Sequence, residues 1–376
     1  MTSKQTDLRE VDIMATASIK RHVLPGEEGG ETAWFYKQNA FEQQEIFRQV
    51  AFKRRHWPQL CDGRSSQYPT YTYPHILPKG LIRLAFHDPI ADAILSYLAK
   101  EDIALHSEAL NLKSSQVACL NFVFPLRQKP ALAKSALTGF LPGVREVTGI
   151  EFEYTGPHGV TEWLGEPSGG KRGQYRTSID AAVFWVGRHN RKHATLIEWK
   201  YTEHGFGSCS AFHSARGHEK ASCESSDVAE DTDPGRQCRL TTGGDLRSRH
   251  YWEHMEAAGI SLSAFSGVHG CPFQGPFYQL MRQFLVAEYL RQSGKADHVD
   301  VALIGFARNT ALHKIPPRLR PLLPTQGGGI IDAWNAVLES VPPMRHHTVE
   351  QLMQRVNKSD GVDLGWRNYL RERYDV

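Results

Sequence analysis

Two apolar segments joined by a basic turn decide the fold of this chain: SIDAAVFWV at residues 178–186 and TLIEWKY at residues 195–201, with GRHNRKHA between them. β-branched and aromatic residues dominate both segments, which is typical of strands, and the connection is rich in turn-forming residues. The sequence therefore predicts an antiparallel hairpin. With the turn centred near residue 189 or 190, Asp180 lies across from Trp199 or Lys200.

Periodic segments on either side extend this hairpin into a longer order of elements. Apolar spacing and capping residues predict one helix before the hairpin and one after it, and short apolar runs predict two more strands. In chain order these are a helix that begins at Ser114 or Ser115 and ends before Pro125, a strand at 149–155, the hairpin, a helix at 277–291 and a strand at 299–306. The order predicts an α/β protein with a central mixed sheet flanked by helices.

Three charged residues interrupt the apolar hairpin. Asp180 lies in its first strand, and Glu198 and Lys200, two positions apart, share one face of the second. Burying charges costs several kcal/mol unless they are paired or bind a metal ion. Two carboxylates beside an ammonium suit a Mg²⁺ or Mn²⁺ site for phosphodiester hydrolysis. The alternative is a cross-strand ion pair on a half-exposed hairpin.

The residues SIDAA around Asp180 and LIEWK around Glu198 and Lys200 resemble the D…(D/E)-x-K signature of the PD-(D/E)XK, or restriction-endonuclease-like, nuclease superfamily. The Ser114, Ser115, Gln116 stretch is similar to one in bacterial families of that group. The resemblance implies an αβββαβ core and covers residues 108–306. It also implies that Asp180 and Glu198 are metal ligands and catalytic residues, and that Lys200 is the catalytic lysine.

The remaining chain divides around this core. We expect a flexible arm at 1–32, a helical region at 33–107, a loop-rich insertion at 203–272 inside the core, and a helical extension at 307–376.

Two features of the superfamily leave choices open in this sequence. Its additional upstream acid has three candidates: Glu108, Glu151 and Glu153. On the helix at 277–291, Gln279 and Arg282 are three positions apart and therefore neighbours on the surface. The resemblance suggests that this pair contacts a nucleic-acid backbone, whereas a solvated helix face explains the pair equally well.

Four cysteines fall in or beside the insertion: Cys209, Cys223, Cys238 and Cys271. Some nucleases of the superfamily carry a four-cysteine iron–sulfur cluster, but the closely spaced pairs typical of zinc and cluster sites are absent here. We therefore consider a structural zinc ion or iron–sulfur cluster at these residues but do not expect one.

Composition excludes several classes. The 376 residues carry a net charge of +3, which is too low for a protein that coats nucleic acid electrostatically. No apolar run is long enough to span a membrane and no export signal is recognised, so we expect a cytoplasmic, bacterial protein without a membrane partner. The expected function is a metal-dependent nuclease that acts on DNA in restriction, phage defence or repair, as a homodimer or with a partner protein. The alternative is a non-catalytic nucleic-acid-binding or assembly protein on the same fold.

Overall fold

A computed structural model describes residues 19–167, 176–242, 248–324 and 327–376. Eight strands are present in these ranges: β1 Lys20–Arg21, β2 Gly63–Arg64, β3 Tyr71–Tyr73, β4 Glu146–Tyr154, β5 Ile179–Val186, β6 Lys192–Lys200, β7 His298–Gly305 and β8 Arg345–Thr348. The helices are α1 Ala33–Tyr36, α2 Ala40–His56, α3 Asp88–Lys100, α4 Ser115–Gln128, α5 Pro130–Leu137, α6 Val160–Trp163, α7 Ser210–Ser214, α8 Gly217–Ser225, α9 Arg239–Thr242, α10 Tyr251–His254, α11 Phe277–Gln292, α12 Ile330–Asn335, α13 Val349–Lys358 and α14 Leu364–Tyr374.

The centre of the molecule is a five-stranded mixed sheet in the order β4-β5-β6-β7-β8. β5 is antiparallel to both of its neighbours, β4 and β6, while β7 and β8 run parallel to β6. Alternate residues of β5 pack into two different apolar cores: Ala181 and Val183 face α4 and the C-terminal helices, whereas Ala182 faces α11. The predicted α/β class, with a mixed sheet between helices, is confirmed, and α4, β4, β5, β6, α11 and β7 follow in the predicted order.

The hairpin register differs from the predicted one. Ala181 lies opposite Ile197, and continuing that ladder places Asp180 opposite Glu198 rather than Trp199 or Lys200. The observed ladder is centred on residue 189, so the predicted partners of Asp180 lie one or two residues too far along β6; His189 and Asn190 in this turn both adopt positive φ angles. Asp180 and Glu198 therefore share one face of the sheet.

α4 continues through Pro125 to Gln128, so the prediction that it ends before this proline is wrong. A proline inside a helix leaves the carbonyl four residues earlier without its donor, which here is the carbonyl of Asn121. The indole N–H of Trp366 donates to that oxygen at 2.8 Å and supplies the missing bond. A residue more than two hundred positions away thus permits the longer helix.

Both ends of the chain differ from their predictions. Residues 1–18 of the expected flexible arm lie outside the described residues, but β1 pairs with β3, and Val23 and Leu24 are buried. The C-terminal extension contains a strand, β8, as well as helices. None of the helices in the described ranges combines the length and apolar character needed to cross a bilayer.

Candidate active site

Three carboxylates come together at one end of the first three strands of the sheet. Phe152 and Tyr154 pair with Ala181 and Ile179, so Glu153 lies beside Asp180 on the neighbouring strand. Glu198 follows on β6, and all three acids line one cleft. The backbone N–H of Trp199 donates to Asp180 Oδ2 at 2.7 Å and ties the aspartate to β6.

Glu198 is only 1% exposed, and donors surround both of its oxygens. Its Oε1 accepts from Gln279 Nε2 at 2.6 Å and from Lys200 Nζ at 2.7 Å. Its Oε2 accepts from Gln283 Nε2. Gln279 and Gln283 are one turn apart on α11, so one face of this helix fixes the position of Glu198.

The electrostatics of the site follow from burying like charges together. Burial raises the pKa of Asp180 well above its ordinary value, and the charges of Glu198 and Glu153 raise it further. Burial also raises the pKa of Glu153. Burial alone would lower the pKa of Lys200, but the neighbouring carboxylates, Glu198 first, outweigh it and raise that pKa. Lys200 is therefore held as an ammonium ion.

Of the three candidates for the upstream acid, Glu153 is the one that lies beside Asp180 on the neighbouring strand. Its φ angle is +45°, a strained conformation for a residue other than glycine and one that is often found at functional sites. Gln116 Nε2 donates to it at 2.8 Å and Ser178 Oγ at 2.6 Å. Glu108 also lines the cleft, but hydrogen bonds from residues 65–67 hold its carboxylate. Glu151 lies opposite Ala182, outside the cleft lining.

A second buried acid that the sequence analysis missed supports the start of β5. Glu166 accepts from the backbone N–H of Thr177 at 2.7 Å, from the Thr177 hydroxyl at 2.5 Å and from Tyr251 Oη at 2.7 Å. Arg282 Nε lies 3.7 Å from Glu166 and donates to Thr177 Oγ1 at 2.9 Å. Only long-range contacts reveal this network, which fixes the backbone that leads into Asp180.

The structure places Gln279 and Arg282 in the cleft rather than on a solvated helix face. Gln279 Oε1 accepts from Gly207 N at 2.6 Å and from Lys200 Nζ at 3.4 Å, so both ends of its amide are engaged within the site. The side chain of Arg282 is 20% exposed and lines the cleft.

The donor set of the cleft fits a divalent cation. About 2330 Å³ of empty space opens to solvent here. Among the described residues that line it, carboxylates outnumber Lys and Arg side chains: Glu42, Glu108, Glu153, Asp180, Glu198 and Glu203 against Lys113, Arg176, Lys200 and Arg282. Gln283 Oε1 beside Glu198 is buried and has no hydrogen-bond partner in the described part of the chain. Excess negative charge together with an unpartnered oxygen suits a hard cation.

The four cysteines of the insertion share one cavity: Cys209, Cys223, Cys238 and Cys271 all line it, together with Tyr278 and Met281 of α11. Separately, the ligand atoms of His250, Glu253 and His254 lie within 4.8 Å of one another. The Nε2 atom of His254 already bonds to the carbonyl of Trp163 at 2.9 Å.

Comparison with known proteins identifies the family of this chain. The chain belongs to the family described as restriction endonuclease associating with ARP, whose model matches residues 43–375. This confirms the resemblance to restriction endonucleases, and it indicates a nuclease whose substrate is nucleic acid. No curated protein and no solved structure matches the chain.

Proposed function

We propose that this protein is a metal-dependent nuclease that hydrolyses phosphodiester bonds in DNA, with its site at Asp180, Glu198 and Lys200. The observation that carries the proposal is the alignment of Glu153, Asp180 and Glu198 on three adjacent strands beside the ammonium of Lys200. A cross-strand ion pair needs one acid and one base, and it gives no reason for two further acids in the same place. A metal site needs these acids.

Asp180 and Glu198, with Glu153 as a third carboxylate, are the residues that would hold Mg²⁺ or Mn²⁺. When bound, such an ion polarises the scissile phosphate and acidifies a water molecule. The protein's own part is to keep the three carboxylates in place, through the Trp199 amide on Asp180 and the glutamine amides on Glu198. Partners of this kind typically change metal affinity or activity by about 10- to 100-fold.

Lys200 acts in this proposal as a hydrogen-bond donor. A lysine amine has an ordinary pKa of about 10.4 and is protonated at neutral pH, and the Glu198 carboxylate 2.7 Å away favours the charged form. Its ammonium can stabilise the negative charge that develops on the phosphate oxygens in the transition state. It can also orient the attacking water by donating a hydrogen bond to it.

We assign substrate binding to the open cleft. Its surplus of carboxylates repels a phosphodiester until a cation is present, so nucleic acid and metal should bind together. Arg282, whose side chain is 20% exposed, is the residue that we assign to backbone contact. Gln279, the other predicted contact, is better explained as the residue that positions Glu198 and Lys200.

Two broader parts of the proposal concern organisation and partners. Residues 108–306 would form the restriction-endonuclease-like core, with additions on both sides. The family description names an association with ARP, which supports a partner protein in a restriction or defence role. Light scattering of the purified chain, alone and with its candidate partner, separates a homodimer from a mixed complex.

Cleavage of a nucleic-acid panel tests the proposal. Labelled double-stranded DNA, single-stranded DNA and RNA are incubated with the purified protein in Mg²⁺ and in a chelator. We expect metal-dependent cleavage of DNA that Asp180→Asn and Glu153→Gln abolish. Glu151→Gln, on the same strand as Glu153, is the matched control and should cleave like wild type. Metal-independent binding without cleavage of any substrate would overturn the proposal and favour the non-catalytic alternative.

A further inference from the structure

The insertion between β6 and α11 brings four cysteines to one cavity. Cys209, Cys223, Cys238 and Cys271 come from four separate segments, and their gaps of 14, 15 and 33 residues give no local reason for them to meet. The empty space that they line is about 430 Å³, part of it open toward solvent. Convergence of thiols from distant segments is the arrangement that a metal centre requires.

Hydrogen bonds hold the cysteine-bearing segments together. The backbone N–H of Cys271 donates to the carbonyl of Cys223 at 2.8 Å. Gln274 connects the Cys209 segment to the Cys223 segment, because its carbonyl accepts from Cys209 N at 3.2 Å and its side-chain amide donates to Cys223 O at 2.6 Å. Arg318 donates to the carbonyl of Cys271 at 3.0 Å. The cavity is thus a built feature of the fold.

The rest of the cavity lining suits a buried metal centre. Arg239 lines the cavity and can offset negative charge on thiolates. The remaining lining is mostly apolar, which protects a centre from water.

The spacing of the thiols argues against a single ion. Four sulfurs bound to one zinc lie within about 4 Å of one another, since each Zn–S bond is about 2.3 Å and the geometry is tetrahedral. In the described residues, the group of potential ligands that is packed within 4.8 Å is the His250 group and not these cysteines. An iron–sulfur cluster holds its thiolates farther apart than one ion does, because several metal and sulfide atoms separate them.

We propose that Cys209, Cys223, Cys238 and Cys271 ligate a four-iron, four-sulfide cluster that organises the insertion. The helices of this segment, α7 to α10, have only four to nine residues, and α8 buries none of its side chains. A segment with so little regular structure needs an additional cross-link to stabilise its fold. The cluster adjoins the candidate active site, because Tyr278 lines both cavities and is followed by Gln279.

Metal analysis of the full chain tests this proposal independently of any nuclease activity. The protein is purified without oxygen, and iron, acid-labile sulfide and zinc are measured together with visible absorption. We expect about four iron and four sulfide per chain, whereas about two of each would overturn the four-iron assignment, since four cysteines can hold either cluster. Cys223→Ser should lose most of the iron, whereas the exposed Cys61→Ser is the matched control and should keep it. No iron after anaerobic purification and reconstitution, or one zinc instead, would overturn the cluster.

Thiol counting on the wild-type protein keeps the test decisive if a cysteine variant fails to fold. An alkylating reagent is added to the native holoprotein before and after removal of iron by a chelator. We expect chelation to release four thiols, since Cys61 is exposed from the start and Cys119 is buried. Release of none would contradict the proposal.

Discussion

Gln279→Leu separates two roles that one residue could have in this cleft. The substitution removes the donor to Glu198 Oε1 at 2.6 Å and the acceptor for Lys200 Nζ at 3.4 Å and for Gly207 N at 2.6 Å. Glu198 keeps its other partners, so the carboxylate remains in the site but is less firmly held. The change therefore alters the positioning of a proposed metal ligand without removing the ligand.

The expected magnitude comes from the bond to Glu198. A hydrogen bond to a charged group contributes about 1.5–3 kcal/mol, which corresponds to a roughly 10- to 150-fold change in an equilibrium constant. We expect the Mg²⁺ concentration for half-maximal cleavage to rise by about 10- to 100-fold, the usual effect of losing such a partner. Gln283→Leu removes only the single bond to Glu198 Oε2 and should have the smaller effect of the two.

Single-turnover cleavage across a Mg²⁺ titration measures this effect, with nucleic-acid affinity measured in parallel at several salt concentrations. Gln292→Leu, at the far end of the same helix, is the control and should change neither quantity. The reasoning is refuted if Gln279→Leu leaves the Mg²⁺ dependence unchanged and instead weakens nucleic-acid binding with a shallower salt slope. That result would make Gln279 a backbone contact, as its position in the sequence first suggested.

Two further predictions concern stability. Trp366→Phe leaves the buried carbonyl of Asn121 without a donor and should lower the free energy of unfolding by about 1–3 kcal/mol. Pro125→Ala should recover part of this loss in a double-mutant cycle, because an alanine supplies the missing N–H. Simple additivity of the two substitutions would contradict the prediction. Burial, reinforced by the charge of Lys113, lowers the pKa of His75 well below 6.5, so below that pH the unfolded chain binds a proton that the folded protein does not. Between pH 7 and pH 5 this proton uptake should lower the free energy of unfolding by about 2 kcal/mol. Chemical unfolding of His75→Gln should show a decrease over the same pH range that is smaller by that amount. Equal decreases in the wild type and the variant would exclude the histidine as the cause.

The hairpin shows which features of the fold could be predicted from the sequence. Apolar strands broken by Asp180, Glu198 and Lys200 predict both a sheet and a cluster of charges, because each strand alternates its faces with a fixed period. The register was out of reach, because moving the centre of the turn by half a residue changes the residue opposite Asp180, and the sequence does not locate the turn that closely.

Long-range contacts explain most of the other differences. Spacing alone could not predict that Glu153, rather than Glu108 or Glu151, lies beside Asp180, because its position depends on a strained backbone and on bonds from Gln116 and Ser178. The extension of α4 past a proline depends on an indole from the C-terminal helix. The four cysteines line one cavity only because a long insertion folds around it, and no periodic pattern in the sequence indicates this.

The most direct test of the account is single-turnover cleavage of labelled DNA by folded Lys200→Ala in saturating Mg²⁺. Because Lys200 is proposed to stabilise charge in the transition state, cleavage should fall by about 10²- to 10³-fold or more, while nucleic-acid affinity stays close to that of wild type. Thermal unfolding establishes that the variant is folded, and Glu151→Gln provides the active control. Cleavage at the wild-type rate by folded Lys200→Ala, free of contaminating nuclease, would contradict the proposed site.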